Sequence, residues 1–165
     1  MRFVVADLGR PLPVAPASVD AILSTATFHW VRDHDALFAN LAAVLRPGGR
    51  LVAQCGGAGN IAAVRTAIHA VGEAWDGPWT FATPDETRAR LEAAGFRAIE
   101  AWLHDEPTPI SAGEPLREYL RTVVLGAHLE RLPGGDRDPF VAAVAERLPG
   151  GVIDYVRLNL VATRA

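Results

Sequence analysis

The chain has 165 residues, of which 50% are hydrophobic and 21% are charged, and its net charge is −3. This length suits one domain that buries roughly 68–70% of the surface its unfolded form would expose. All 16 cationic side chains are arginines scattered along the sequence rather than clustered, which argues against a nucleic-acid partner.

The sequence also indicates where the protein is located and which disulfide or cysteine metal sites it cannot form. No apolar run approaches the roughly 18–20 residues needed to span a bilayer, so we expect a soluble globular protein without a membrane partner. The N-terminus lacks the charged, apolar and small-residue regions of a signal peptide, and the cytoplasm is therefore the expected location. The single Cys55 excludes an internal disulfide and a metal site built on paired cysteines.

The first third of the chain predicts two strands and a helix. Residues 3–6 form a short apolar run consistent with a buried strand, and three prolines mark residues 9–18 as a loop. Residues 19–24 predict a second strand. Apolar residues at helical spacing then predict a helix over 33–45, with Asp33 placed to cap it.

A strand–helix–strand unit is completed by the next segment. Residues 46–49, Arg-Pro-Gly-Gly, predict a tight turn that stops the helix, and residues 50–55 predict a third strand. Such a unit implies parallel pairing with a right-handed crossover. It therefore predicts an open α/β sheet with helices on both faces.

The remaining elements continue this alternation. Thr83 and Glu86 form a capping box at the start of a helix that Gly95 ends. The other predicted elements are a helix over 60–74, an aromatic loop over 75–79, an edge strand over 97–103, helices over 114–130 and 139–148, and a last strand from Val156.

Several short motifs occur in the order and spacing of a known family. They are Val5-Ala6-Asp7-Leu8, Leu12-Pro13, Val19-Asp20, His29-Trp30 and the stretch 45–51 around the proline-glycine-glycine turn. Together they resemble class I S-adenosylmethionine-dependent methyltransferases. The stretches 28–34, 78–81 and 91–96 are similar to the trans-aconitate methyltransferase group. The resemblance covers nearly all of the chain.

The resemblance implies a fold, a cofactor and a reaction. The fold would be a Rossmann-like α/β sheet of strand order 3-2-1-4-5-7-6, in which residues 3–6 are strand 3 and residues 19–24 are strand 4. The cofactor would be S-adenosylmethionine, and the reaction methyl transfer to a small molecule such as a carboxylic acid. Residues 104–150 would form a helical lid or a substrate-side insertion.

Site residues are also implied by the resemblance. Asp7 would accept a hydrogen bond from the adenine amino group, with the Leu8 backbone nearby. Ser24, Thr25 and Ala26 end strand 4, where small residues let a backbone approach the cofactor. The substrate pocket would be lined by His29, Trp30 and Trp79. For an ionised carboxylate acceptor, His29 or one of the arginines would hold the carboxylate, and for a hydroxyl acceptor His29 would be the catalytic base.

Family members open with a first strand, a glycine-rich turn and a second strand, and this sequence starts after all three. We therefore expect an N-terminally truncated sheet lacking its first two strands, in which this chain alone lacks half of the cofactor crevice. Residues 19–24 would become an exposed parallel edge, favouring a homodimer or aggregation. Alternatively, residues 3–6 would pair beside residues 19–24.

Two rival functions follow from other features. Residues 57–62 fit the dinucleotide fingerprint G-x-G-x-x-A, with Asp76 near the acidic position, which favours a nucleotide-binding protein. However, residues 75–83 lack the strand that this fingerprint requires. The other rival is a non-catalytic dimerisation or interaction remnant. His29, Asp33 and His34 invite a metal interpretation, but no convincing further ligand follows, and we expect no metal.

Overall fold

The computed structural model describes residues 3–148 and 150–165. The strands are β1 (Val19–Thr25), β2 (Leu45–Gly56), β3 (Phe96–Asp105), β4 (Thr108–Pro109), β5 (Val152–Ile153) and β6 (Val156–Arg164). The helices are α1 (His34–Val44), α2 (Ala62–Ala70), α3 (Pro84–Ala93), α4 (Glu114–Tyr119), α5 (Gly126–Arg131) and α6 (Gly134–Glu146). No helix among the described residues is long and apolar enough to cross a membrane.

The chain divides into two compact units. The first comprises Met1–Ala58, Trp79–His104 and Arg157–Ala165, and it contains the main sheet. The second comprises Gly59–Pro78 and Asp105–Val156. The segment 104–150 therefore falls almost entirely within the second unit, and its role as a lid stays a prediction.

The main sheet has four strands in the order β1-β2-β6-β3. Strands β1 and β2 are parallel, whereas β6 runs antiparallel to β2. The family order 3-2-1-4-5-7-6 ends in strands 4, 5, 7 and 6. Strands β1, β2, β6 and β3 take these four positions in turn. The α/β fold class and this part of the predicted strand order are therefore confirmed.

Helix α1 makes the crossover between the two parallel strands. Asp33 caps it by accepting a hydrogen bond of 2.9 Å from the backbone N–H of Ala36, as predicted. The capping box of Thr83 and Glu86 at the start of α3 is also present. These local signals involve residues only three apart in sequence, so they form wherever the helix forms.

The predicted turn over 46–49 is instead a bulge within β2, which begins directly after α1. Val19 pairs with Leu45, but Ala21 pairs with Arg50, so β2 has extra residues at this point. A Cβ at Gly49 would lie only 2.9 Å from the backbone oxygen of Arg46. Glycine is therefore required for the backbone to fold back so closely.

Residues 3–6 were predicted as a buried strand, and this prediction is wrong. Phe3 is 83% exposed, Val5 is fully exposed, and the segment forms no strand. An apolar run becomes a strand only where a neighbouring strand accepts its backbone hydrogen bonds and a core takes its side chains. The alternative pairing beside residues 19–24 does not occur either, whereas the loop over 9–18 is confirmed.

Three helix boundaries differ from the prediction. The helix over 60–74 is shorter, because α2 spans only Ala62–Ala70. The helix over 114–130 is interrupted between α4 and α5 by a π-helical turn over Leu120–Val124. Helix α6 starts at Gly134 rather than at residue 139, because burial of Val141 and Val144 outweighs the poor helix propensity of its first two glycines.

The two faces of the main sheet differ in packing. On one face, buried side chains of β2 and β6 pack against α1 and α3: Leu51, Ala53, Cys55, Leu158, Leu160 and Ala162. No helix described in the first unit covers the other face, so the prediction of helices on both faces does not hold within this unit, and this face carries a groove of about 310 Å³. The groove is lined in part by Leu23, Thr25, Val52, Gln54, Trp102 and Asn159.

The exposed strand β1 predicts self-association. Leu23 is 78% exposed on this edge strand, and its register partner Val52 is also exposed, so an apolar patch adjoins unpaired backbone groups. We expect Leu23→Lys to lower the weight-average mass measured by analytical ultracentrifugation, because the charge blocks edge pairing. Val123→Lys, which changes an exposed valine of the second unit, is the control. A parent chain that stays monomeric at high concentration would contradict the proposed homodimer.

Candidate functional site

The carboxyl end of β1 carries three of the predicted cofactor residues. Parallel register pairs Ser24 with the buried Ala53 and Thr25 with Gln54. The two side chains therefore point to opposite faces, and only that of Thr25 lies on the open face. Ala26 continues the ladder by donating its N–H to the carbonyl of Gln54 at 2.8 Å, in a left-handed conformation with φ 53°. Because a large side chain is disfavoured there, a small residue keeps the strand end accessible.

A short 3-10 turn over Phe28–Trp30 follows β1 and presents His29 and Trp30. His29 is only 8% exposed, and its Nδ1 accepts a hydrogen bond of 3.1 Å from the backbone N–H of Gly56. The end of β2 therefore holds the imidazole beside the end of β1. The structure brings together the predicted substrate residue and the predicted cofactor residues at one edge of the sheet.

The protonation state of His29 follows from these surroundings. Burial, together with the charge of Arg157 and the field of His34, lowers the pKa of His29 to about 4. The ring is therefore neutral near pH 7. Because Nδ1 accepts from Gly56, Nε2 carries the proton, and His29 presents an N–H donor.

An aromatic cluster surrounds this imidazole. The ring centroid of Trp30 lies 5.2 Å from that of His29 and 6.1 Å from that of Trp79. Phe81 lies 5.9 Å from His29 and stacks on Trp79 at 5.9 Å. The backbone N–H of Thr80 donates to the carbonyl of His29 at 2.8 Å, which ties the two aromatic segments together. The predicted substrate residues His29, Trp30 and Trp79 therefore form one cluster.

Asp7 and Leu8 lie in a turn near this cluster. The Asp7 carboxylate is exposed, and it accepts a hydrogen bond of 2.9 Å from the N–H of Gly9. A Cβ at Gly9 would lie 3.9 Å from Cγ1 of Val31, which follows the 3-10 turn directly. Leu8 packs against the core, and its carbonyl accepts from Asn40 at 3.0 Å. The cofactor role of Asp7 and Leu8 stays a prediction.

The residues of the metal interpretation have structural partners instead. Nε2 of His34 donates to the carbonyl of Phe28 at 3.1 Å, and Asp33 caps α1. Nδ1 of His29 faces the backbone N–H of Gly56. Within residues 3–148 and 150–165, no group of three side chains is placed to hold a metal ion.

The glycines of the dinucleotide fingerprint are explained by packing and by local turns. A Cβ at Gly57 would meet Leu158 Cβ at 2.8 Å and Leu103 Cδ2 at 2.5 Å, so glycine allows neighbouring strands to approach. Asp154 occupies the start of α2, where its Oδ2 accepts the N–H of Ala63 at 2.8 Å. A phosphate there would meet this carboxylate. Asp76 pairs with Arg65 at 2.7 Å and His69 at 3.1 Å.

Cys55 is buried in β2, and burial raises the pKa of its thiol to about 11. The thiol is therefore protonated near pH 7, and it packs as part of the core.

Comparison with known proteins shows which family this chain is similar to. A family profile described as a methyltransferase domain matches residues 1–53. A malonyl-acyl-carrier-protein O-methyltransferase from Geobacter sulfurreducens is 34% identical over 143 residues, covering 84% of this chain and 50% of that protein. These matches support a class I S-adenosylmethionine-dependent methyltransferase domain. A trans-aconitate 2-methyltransferase from Paracidovorax citrulli is 26% identical, with 86% of this chain and 58% of that protein covered.

Solved structures share the class I methyltransferase fold. The match to the YcgJ protein from Bacillus subtilis covers 99% of this chain and 70% of that protein's chain, with a TM-score of 0.61 and 12% identity. A second match is to Haemonchus contortus phosphoethanolamine N-methyltransferase 2, solved in complex with S-adenosylhomocysteine. It covers 97% of this chain and 36% of that protein's chain, with a TM-score of 0.54 and 20% identity. The chain spans about half the length of the curated relatives it matches.

Three contributors to the site were missed by the sequence prediction. Phe81 lies in the stretch 78–81, and its alternation with Trp79 could have placed both rings on one side. The backbone N–H of Gly56 and the side chain of Arg157 carry no local signal, because strand register brings them beside His29.

Proposed function

We propose that this chain takes part in S-adenosylmethionine-dependent methyl transfer to the carboxylate of a small molecule. The observation that carries this proposal is the hydrogen bond of 3.1 Å from the Gly56 N–H to Nδ1 of His29. Because this bond engages Nδ1, the proton lies on Nε2. A group in that state donates a hydrogen bond to an anion, whereas a catalytic base for a hydroxyl acceptor would need an available nitrogen lone pair.

The small residues at the end of β1 and the carboxylate of Asp7 support a cofactor site there. Ser24, Thr25 and Ala26 are small, and the exposed carboxylate of Asp7 is an acceptor suited to an amino group. When bound, S-adenosylmethionine would supply an electrophilic methyl group for transfer to a carboxylate oxygen, with S-adenosylhomocysteine as the leaving group. Because the carboxylate is already ionised, the protein must chiefly align the acceptor. We infer that Nε2–H of His29 orients the oxygen, while Trp30 and Trp79 contact the carbon skeleton of the acceptor.

The named relatives support a carboxylate acceptor. The malonyl-acyl-carrier-protein and trans-aconitate methyltransferases both act on molecules that carry carboxylic acids. The alternative of nucleotide binding through residues 57–62 is weakened by Asp154, whose carboxylate occupies the helix start. The alternative of a non-catalytic remnant predicts no turnover at all.

Methyl transfer is tested with S-adenosylmethionine labelled on its methyl group. We expect the chain to label dicarboxylic and tricarboxylic acids and acyl thioesters with a free carboxylate, giving esters that release labelled methanol in alkali. His29→Phe retains a ring but removes the donor, and we expect it to lower kcat/KM by about 10–100-fold, the range for one hydrogen bond to a charged group.

Two outcomes would contradict the proposal. One is the absence of cofactor binding by calorimetry together with the absence of any labelled product. The other is an alkali-stable product, which would indicate an ether or amine rather than an ester. Exposed His104→Phe is the matched control, and we expect it to keep the parent rate.

A further inference from the structure

Arg157 lies opposite the backbone group that holds His29. Antiparallel register pairs Arg157 of β6 with Gly56 of β2. Gly56 is also the residue whose N–H donates to Nδ1 of His29 at 3.1 Å. Paired residues of an antiparallel ladder stand about 4.5–5.5 Å apart, and Gly56 has no side chain to separate its partner from the imidazole. The first residues of β6 therefore bring an arginine to the edge that carries His29.

The charge of Arg157 reaches the imidazole. After burial, the Arg157 guanidinium is the next largest cause of the lowered pKa of His29. The geometric ground for placing Arg157 at this edge is its register opposite Gly56. Near pH 7 the pair consists of a permanent cation and a neutral ring that presents an N–H.

A guanidinium and a neutral N–H donor placed together favour the binding of an anion. A guanidinium binds a carboxylate through two parallel hydrogen bonds, which fixes the plane of the carboxylate as well as its position. The neutral imidazole adds a directional donor without adding a second charge. The aromatic side chains of Trp30 and Trp79 lie beside this pair and suit the carbon skeleton of a small organic acid.

We propose that Arg157 binds a carboxylate of the methyl acceptor and thereby determines specificity for anionic acceptors. This inference rests on the proposed function. The same chemistry could bind the carboxylate of the cofactor's methionine part, and the experiment below distinguishes the two sources.

The central variant is Arg157→Gln, which removes the charge but keeps a polar side chain. We expect KM for a dicarboxylic acceptor to rise about 10–100-fold, as for loss of a charge-assisted hydrogen bond, with kcat changed less than about threefold. The Kd for S-adenosylmethionine, measured by calorimetry, should stay within about twofold. A weakened cofactor Kd with an unchanged acceptor KM would overturn the proposal in favour of the cofactor's carboxylate.

Arg50→Gln is the matched control. Arg50 is exposed on the same β2–β6 ribbon, where it pairs with Thr163, six residues and about 20 Å along β2 from Gly56. It loses the same charge, so we expect the parent KM. An equal rise in KM in both variants would show a long-range charge effect and would overturn a direct contact.

Binding without turnover separates this inference from the proposed function. Malonate binding is measured by calorimetry at two salt concentrations. We expect malonate to bind the parent and Arg50→Gln but not Arg157→Gln. If that pattern appears without methyl transfer, the proposed function fails and the anion site stands. Methyl transfer with an unchanged acceptor KM in Arg157→Gln would reject the anion site alone.

Arg157→Lys keeps the test decisive if the glutamine variant does not fold. Lysine retains the charge but loses the planar fork, so we expect an intermediate KM with full folding by circular dichroism. A lysine variant that is folded, with the parent KM for both monocarboxylic and dicarboxylic acceptors, would contradict bidentate binding.

Discussion

Phe38→Ala is expected to lower the free energy of unfolding by about 3–5 kcal/mol, the cost of removing a large buried ring. Phe38 is only 1% exposed on α1. Its ring meets that of Phe28 edge-on at 6.0 Å and that of His34 at 5.9 Å. Denaturant unfolding followed by fluorescence measures the change.

The same variant should also weaken the site. Phe28 begins the 3-10 turn that presents His29, so a cavity beneath Phe28 lets the turn shift away from Gly56. Under conditions where the variant is still folded, we expect a lower kcat/KM for a carboxylate acceptor.

Two other phenylalanine changes calibrate this result. Phe38→Leu keeps most of the volume and should cost less than about 1.5 kcal/mol. Phe3→Ala removes an 83% exposed ring and should stay within about 0.5 kcal/mol of the parent. A loss below about 1 kcal/mol in Phe38→Ala would show that Phe38 does not hold the core of the first unit.

Acid is expected to destabilise the chain as the pH falls from about 6.5 toward 4. The folded state keeps His29 neutral because its pKa is lowered from 6.5 to about 4, whereas the unfolded chain takes up a proton near pH 6.5. The unfolded state therefore binds more protons in this window, and stability falls with pH. The shift corresponds to about 3 kcal/mol, lost by about pH 4.

Burial also lowers the pKa of His34 and the pKa of His128. Both residues therefore add to the loss of folding stability as the pH falls. Urea unfolding at several pH values measures the combined effect.

His29→Asn isolates the contribution of His29. The Asn side-chain oxygen can accept the N–H of Gly56 in place of Nδ1, but it does not titrate. We expect this variant to lose about 3 kcal/mol less than the parent between pH 6.5 and 4. His104→Asn, at an exposed position, is the control. If His29→Asn follows the parent curve, the imidazole is not held neutral in the fold.

Structural features that depend on residues close together in the sequence could be predicted. The Asp33 cap, the Thr83–Glu86 capping box and the alternation of Leu158 with Leu160 all depend on residues two or three positions apart. The order of β1, β2, β6 and β3 followed from the family resemblance rather than from these local patterns. The strand over residues 3–6 failed because its apolar pattern states only a preference, and the partner strand that would realise it is not beside it.

The sequence alone indicated the family resemblance, the parallel β1–α1–β2 unit and the small residues at the end of β1, because these depend on motifs and on local periodicity. Only the tertiary structure decided the state of His29. The N–H of Gly56 lies 27 residues away and the charge of Arg157 lies on the last strand, yet together with burial they set its tautomer and its pKa. Register between distant strands brought them together, and no local pattern encodes that register.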